Sequence, residues 1–188
     1  MDLKISVLIT TYNSEKNIRR AIESVKWCDE IIVVDSYSDD KTIAIAEEYN
    51  PKIFYRIYEG SSRQLEYGVS LAAYDYVLIL DSDEEVTEEL KNDIKKILNS
   101  ESFNKGGYKI QRRTFFINRW IKYGGWGNDF QYRLLNKSFV KFLHNHDAHW
   151  STESDFQPEY INSYINHFTY DNIYDYIGRM NIYSSLDV

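Results

Sequence analysis

Tyr76-Val77-Leu78-Ile79-Leu80-Asp81-Ser82-Asp83-Glu84-Glu85-Val86-Thr87 is the stretch on which the fold of this 188-residue chain turns. Val77 to Leu80 is an unbroken apolar run of strand length, which predicts a strand buried on both faces. Asp81 and Asp83 follow where such a strand would end. In extended backbone, residues two apart point to one side, so the two carboxylates lie close enough to share one hard cation. A second reading stands beside this one. Thr87-Glu88-Glu89-Leu90 has the form of a helix N-cap with acids in the first turn, and Asp81 and Asp83 would then be only a polar exit from a core strand.

Working outward, Lys4 to Thr10 reads as a first strand. The turn Thr11-Tyr12-Asn13-Ser14 leads from it into a helix with Ile18, Ala21, Ile22 and Val25 on one face and Ser14 as its N-cap. Glu30 to Asp35 predicts a second buried strand, and Ser38-Asp39-Asp40 opens a helix through Ile43, Ala46 and Glu47. Ile53 to Tyr58 is a shorter third strand. A helix from Gly60-Ser61-Ser62 through Leu65, Val69 and Ala72 then returns the chain to Tyr76. Alternation of this kind predicts an α/β fold with a mostly parallel central sheet flanked by helices. Ligands of such sheets sit at the carboxyl ends of the strands. Thr10 to Asn13, Asp35-Ser36 and Asp81 to Asp83 all fall at those ends, so three distant polar clusters should converge on one crevice.

Length and an apolar content of 43% suit one domain with one core. The character of the chain changes near Ser100, dividing 1–100 from 101–188. A single cysteine, Cys28, excludes an internal disulfide, no signal peptide is visible, and no run is long enough to span a bilayer, so a cytoplasmic protein is expected. The net charge of −7 argues against nucleic acid as a partner. Charge is unevenly spread: Ser102 to Asn128 holds no acid, while Lys105, Lys109, Arg112, Arg113, Arg119 and Lys122 follow directly on the acid-rich segment Asp81 to Glu101. That asymmetry suits a site handling a cation and an anionic substrate, or simply a solvated basic face.

The combination Ser6-Val7-Leu8-Ile9-Thr10-Thr11-Tyr12-Asn13, Val33-Val34-Asp35-Ser36-Tyr37-Ser38-Asp39-Asp40-Lys41-Thr42 and Leu80-Asp81-Ser82-Asp83 resembles the family 2 glycosyltransferases of GT-A fold. Within them it looks most like the branch that adds glucose to the lipopolysaccharide inner core. The resemblance continues through Gly124-Gly125-Trp126-Gly127-Asn128-Asp129-Phe130-Gln131-Tyr132-Arg133-Leu134, His146-Asp147 and His167-Phe168-Thr169-Tyr170, and so covers essentially the whole chain. It implies a single GT-A domain over 1–188, with residues 1–100 binding the nucleotide-sugar and 101–188 facing the acceptor. Relatives of the branch continue past the equivalent of Val188, so a truncated chain or a short family member is expected.

The resemblance also implies roles. A UDP-sugar donor would meet Tyr12 as an aromatic face for the base, with Thr10, Asp35 and Ser36 as hydrogen-bonding partners of base or ribose. Ser36 stands where many relatives carry a second aspartate. Arg63 and Gln64 open the helix before the central strand, where a Gln-Lys-Asn pattern is common in the branch, and any basic contact there falls to Arg63. Asp83 is the implied metal ligand, Asp81 a ligand or ribose contact beside Ser82, and His146 a further ligand or phosphate contact. Mg²⁺ or Mn²⁺ would bridge the donor phosphates and stabilise the departing nucleoside diphosphate. His144, His146 and His149 crowd one segment, yet no cysteine partner or regular spacing supports zinc.

Asp129 is the implied catalytic base, taking a proton from an acceptor hydroxyl in a single inverting displacement. Trp126 would stack on an acceptor sugar, and Arg133 would pair with Asp129 or with phosphate. The acceptor would be a saccharide or glycolipid, reached by peripheral contact with the inner membrane face. Asp171 to Leu186 reads as a helix docked on its own domain and not a membrane anchor, with Ile173, Ile177 and Met180 on one stripe and Tyr174, Tyr176 and Tyr183 around it. Two other classes bear weighing. An Asp-x-Asp also begins the haloacid-dehalogenase phosphatases, but Glu85 stands where that motif needs Thr or Val. A non-catalytic nucleotide- or glycan-binding module would have no need of Asp129.

Overall fold

The computed structural model describes residues 3–100, 103–117, 119–124, 127–143, 151–153, 155–170 and 172–186. Its first half is a parallel sheet built by four β-rich runs separated by helices: β1 (Ile5–Thr11), α1 (Ile18–Val25), β2 (Glu30–Asp35), α2 (Thr42–Glu47), β3 (Lys52–Tyr55), α3 (Ser61–Leu71) and β4 (Tyr76–Asp81). A helix between two strands carries the chain back to the starting end, so the strands must run parallel. Val77, Leu78, Ile79 and Leu80 are fully buried, as a strand covered on both faces requires. Ile18, Ala21, Ile22 and Val25 form one buried stripe on α1 and seat it on one face of the sheet, while Leu65 and Val69 of α3 pack on the other.

After β4 the pattern changes. β5 (Glu84–Val86) leads into α4 (Glu88–Asn99), whose first turn holds Glu88 and Glu89 and whose Thr87 hydroxyl accepts from the Leu90 N–H at 3.2 Å. The helix cap read from the sequence is thus formed. β6 (Tyr108–Phe116), β7 (Arg119–Trp120) and β8 (Asp129–Asn136) follow with no α-helix between them among the described residues. Strands so joined return directly, so β7 and β8 are antiparallel to β6. β9 (Lys141–Leu143) and β10 (Ser151–Glu153) make a small separate ribbon, β11 (Glu159–Tyr170) runs parallel to β6, and α5 (Ile173–Leu186) ends the chain.

Among the described residues, nine strands form one sheet in the order β3-β2-β1-β4-β8-β6-β11-β5, with β7 beside β6. The expected mostly parallel sheet holds for residues 1–100; the second half is mixed. α5 packs on its own domain, but not through its aliphatic stripe. Tyr176 docks it, edge-on to Phe116 at 5.6 Å and Tyr170 at 5.1 Å, whereas the predicted stripe residues Ile173, Ile177 and Met180 are exposed.

Candidate functional site

The parallel register decides what meets at the carboxyl edge of the sheet. Thr11 lies beside Asp35 and Thr10 beside Asp81, and the Ser36 and Ser82 N–H groups donate to the carbonyls of Thr11 (3.0 Å) and Thr10 (3.2 Å). The three polar clusters predicted to converge are therefore neighbours. Tyr12 is 60% exposed above them. Asp35 is fully buried, and its carboxylate accepts from the Ser38 N–H (2.8 Å) and hydroxyl (2.5 Å), so it orders the loop after β2. The buried Gln64 side chain donates to the Ser36 hydroxyl at 3.2 Å and keeps an unpartnered Oε1, while Arg63 beside it is exposed. An aromatic pair joins this end: Tyr37, held at φ 63°, lies 5.8 Å from Tyr55. Composition gave no sign of that pair, because either residue is one of seventeen tyrosines.

At the end of β4 the backbone turns at Ser82-Asp83 instead of staying extended, so the two aspartates are positioned separately. Asp81 accepts from Arg133 Nη2 at 2.7 Å and from the Thr10 hydroxyl at 3.3 Å, with 40% of its side chain exposed. The Ser82 hydroxyl meets that of Ser14 at 2.7 Å. Ser14 thus braces this turn and does not cap α1, which begins only at Ile18. Asp83 is anchored by its carbonyl, which accepts from the Phe168 N–H at 2.9 Å, and its carboxylate lies 3.6 Å from His167 Nε2. Burial works against a charge on His167, but Asp83 and Glu84 draw its pKa above the usual imidazole value, opposed by Arg112.

Behind the aspartates runs a buried charged row. Glu84 is wholly buried and accepts from Arg133 Nη2 at 2.5 Å; its other oxygen accepts from the Asp81 N–H at 2.9 Å. Burial raises the Glu84 pKa against the pull of Arg133, while burial of Arg133 is overcome by Asp81 and Glu84, which hold its charge firmly. Arg112 reaches Glu84 at 3.5 Å and Asp129 at 2.6 Å, and Gln131 donates to Asp129 at 2.6 Å. A register shift makes Arg133 the extra residue of a β-bulge opposite Tyr108 and Lys109. The bulge lets adjacent residues share a face: Arg133 completes the charged row and Leu134 enters the core.

Arg133 consequently does not take the place the sequence suggested. Asp129 and Arg133 are four residues apart on β8, roughly 13 Å at strand rise, too far to pair. Arg112, directly opposite Asp129, pairs with it instead, and Arg133 is 99% buried as the counter-ion of Asp81 and Glu84. Arg112, Glu84 and His167 are the site residues that sequence reasoning missed. The acid-free run around Arg112 and the family resemblance at His167-Phe168-Thr169-Tyr170 were the signals for two of them, and neither gave a role. His146 and Trp126, with His144 and His149, lie outside the described residues.

The family model for glycosyl transferase family 2 matches residues 6–185. The chain belongs to this family. A Rickettsia felis protein named an uncharacterized glycosyltransferase is 34% identical over 194 residues, covering 97% of this chain and 68% of that protein. The chain spans about two thirds of the length of its rickettsial relatives. The lipopolysaccharide core biosynthesis glycosyltransferase LpsC of Rhizobium meliloti is 27% identical over 120 residues, 61% of this chain and 44% of LpsC. The crystal structure of residues 1–349 of TarS from S. aureus superposes with a TM-score of 0.51 at 27% identity, over 62% of this chain and 37% of that one. The mixed α/β sheet with flanking helices resembles the GT-A structures of such glycosyltransferases.

For a family 2 chain, the question at the sheet edge is whether the donors present suit a divalent cation. Asp81 and Asp83 offer hard carboxylate oxygens, and among the described residues Asp81 Oδ1 holds only the long contact to Thr10. His167 stands beside Asp83 with its ring nitrogens in reach of the Thr169 hydroxyl, and its favoured charge makes it a partner of the carboxylate. Among the described residues no group of three or more acidic, histidine or cysteine side chains is arranged to hold an ion. By the chemistry of their oxygens, Asp81 and Asp83 are the residues that would hold such a cation, each from its own position at the turn.

Proposed function

We propose that this chain is the donor-binding and catalytic portion of an inverting glycosyltransferase that moves a sugar, a hexose by its resemblance, from UDP to a saccharide hydroxyl of a cell-envelope glycan such as lipopolysaccharide. The observation that carries the reading is the register that sets Thr10 beside Asp81 and Thr11 beside Asp35. That edge then offers an exposed ring, Tyr12, for the base, polar groups from Thr10, Ser36, Gln64 and Ser82 for base and ribose, and two carboxylates for a cation, while buried Asp35, its carboxylate held by Ser38, orders the loop behind them. Arg63 flanks the same edge on the solvent side. Mg²⁺ or Mn²⁺ held by Asp81 and Asp83 would neutralise charge on the leaving diphosphate. Asp129 starts β8 on the acceptor side of that edge. Its carboxylate, oriented by Arg112 and Gln131, would take the proton of the attacking hydroxyl. His146 and Trp126 keep the roles of phosphate or metal contact and acceptor stacking.

A non-catalytic nucleotide-binding reading draws on one observation: both oxygens of Asp129 are already engaged. Catalysis is favoured because a binding module gains nothing from a carboxylate held across the edge from Asp81 and Asp83. Work in the cytoplasm, at the membrane face where envelope acceptors are presented, is consistent with the described helices, none of which is long and apolar enough to cross a bilayer.

Calorimetric titration with UDP and Mn²⁺ tests the donor side. Binding should need the metal and weaken strongly in Asp83→Ala; UDP affinity indifferent to EDTA and to this change would remove the metal assignment. Asp129→Asn should leave UDP affinity within about twofold and lower transfer, or slow donor hydrolysis, by at least about a hundredfold. Normal turnover in that variant would exclude Asp129 as the base.

A further inference from the structure

Arg113 follows Arg112 on β6 and, by strand alternation, points to the opposite face of the sheet. Arg112 faces Asp129; Arg113 has no hydrogen bond or ion pair among the described residues. It is held by rings instead. Its guanidinium carbon lies 4.0 Å from the centre of Tyr164 and 4.5 Å from that of Trp120, in the angle between two rings 6.0 Å apart and inclined at 64°. Lys122 lies 4.6 Å from the same tryptophan. Trp120 is carried here because β7 pairs with the end of β6, Trp120 against Phe115.

Two polar atoms at this place are buried without partners: Nε of Arg113 and Oδ1 of Asn166, the residue opposite Arg113 on β11. Asn166 gives its amide to Glu85 at 3.0 Å, which leaves its oxygen as an acceptor. A guanidinium flanked by aromatic rings keeps its planar N–H edge for a ligand, and that edge matches carboxylate or phosphate. Exposed Arg119 and Lys122 make the hairpin a positive island on a chain of net charge −7. β6 runs parallel to β4 through the intervening antiparallel β8, so this island stands at the same carboxyl edge as Asp81.

We propose that Arg113, set between Trp120 and Tyr164 and backed by Lys122, is the subsite for an anionic group, phosphate or carboxylate, on the saccharide acceptor, with the Asn166 oxygen left to accept from a neighbouring sugar hydroxyl. The proposal rests on the glycosyltransferase reading for the identity of the ligand. Calorimetric titration with glucose 6-phosphate and with glucose, with and without saturating UDP and Mn²⁺, tests it directly. The sugar phosphate should bind the unaltered chain in both conditions, with glucose itself much weaker. Arg113→Gln should weaken it about tenfold, the loss expected for a charge-assisted hydrogen bond. Arg113→Lys should fall between, since lysine keeps the charge and loses the fork. UDP affinity should be the same in all three proteins. Failure of UDP to bind would strike the donor reading alone, because the sugar phosphate is also titrated without it. Undiminished binding in Arg113→Gln, no binding to the unaltered chain, or equal binding of neutral glucose would overturn the subsite. So would capture by phosphatidylglycerol vesicles that is lost in Arg113→Gln while sugar-phosphate binding is unchanged, an outcome assigning the island to a lipid surface.

Discussion

Replacing Arg133 by methionine removes the counter-ion of a carboxylate that has no access to water. Glu84 is 0% and Arg133 1% exposed, and Nη2 of the arginine serves Glu84 at 2.5 Å and Asp81 at 2.7 Å. Asp81 can be hydrated when its partner goes. Glu84 cannot, retaining only the Asp81 N–H at 2.9 Å and a long approach from Arg112 at 3.5 Å. Breaking a buried pair in this way costs about 3–5 kcal/mol, whereas the net worth of the intact pair is far smaller. With a urea m-value of about 2 kcal/mol/M, the midpoint of unfolding should fall by roughly 1.5–2.5 M.

The variant carries its own signature in pH. Glu84 already has a raised pKa in the folded chain, by burial first and by Asp81 next, and loss of Arg133 raises it further. A carboxyl whose folded pKa lies above its unfolded value favours folding below the unfolded value and loses that contribution as pH rises through the folded one. The gap between the two proteins should therefore narrow as pH falls from about 8 to about 5. Arg133→Met with Glu84→Leu should unfold at higher urea than Arg133→Met alone, since no charge is left stranded. Urea titrations of all three proteins at both pH values decide the matter. A loss below about 1 kcal/mol for Arg133→Met, or a double variant worse than the single, would refute the account of Glu84 as a carboxylate dependent on one arginine.

Glu30 behaves in the opposite sense. Although burial pushes its pKa up, hydrogen bonds from Lys52 (2.7 Å), the Ser6 hydroxyl (2.5 Å) and the Ala73 N–H (2.8 Å) bring it below the ordinary value. Its contribution to stability is present above the unfolded value of about 4.3 and is lost as pH falls through the folded one, so Glu30→Gln should flatten the acid limb of a stability profile; an unchanged limb would assign acid sensitivity elsewhere. In α3, a Cβ on Gly68 would stand 2.4 and 2.6 Å from the two methyl carbons of Leu8, which is fully buried in β1. Gly68→Ala should cost about 1–3 kcal/mol by overpacking, reduced by the better helix propensity of alanine, and Leu8→Val should relieve part of it. Thermal unfolding at or above that of the unaltered chain would show that Leu8 has room to shift.

The first hundred residues were legible from sequence because their determinants are local. Apolar runs such as Ile31 to Val34 and Val77 to Leu80, separated by helical periodicity, leave a parallel sheet as the solution that buries both faces, and parallel strands put their carboxyl ends together. Thr10, Asp35 and Asp81 had to be neighbours once that was known. Two Asp residues two apart carried no information about their partners, however. The turn at Ser82-Asp83 sends one carboxylate to Arg133 and the other toward His167, residues 52 and 84 positions further along the chain. The second half was opaque for the same reason. Which of Arg112, Arg113 and Arg133 meets Asp129, which is left between two rings and which is buried depends on strand register and on one inserted residue in β8. Those are set by long-range pairing and packing, and no local pattern of side chains encodes them.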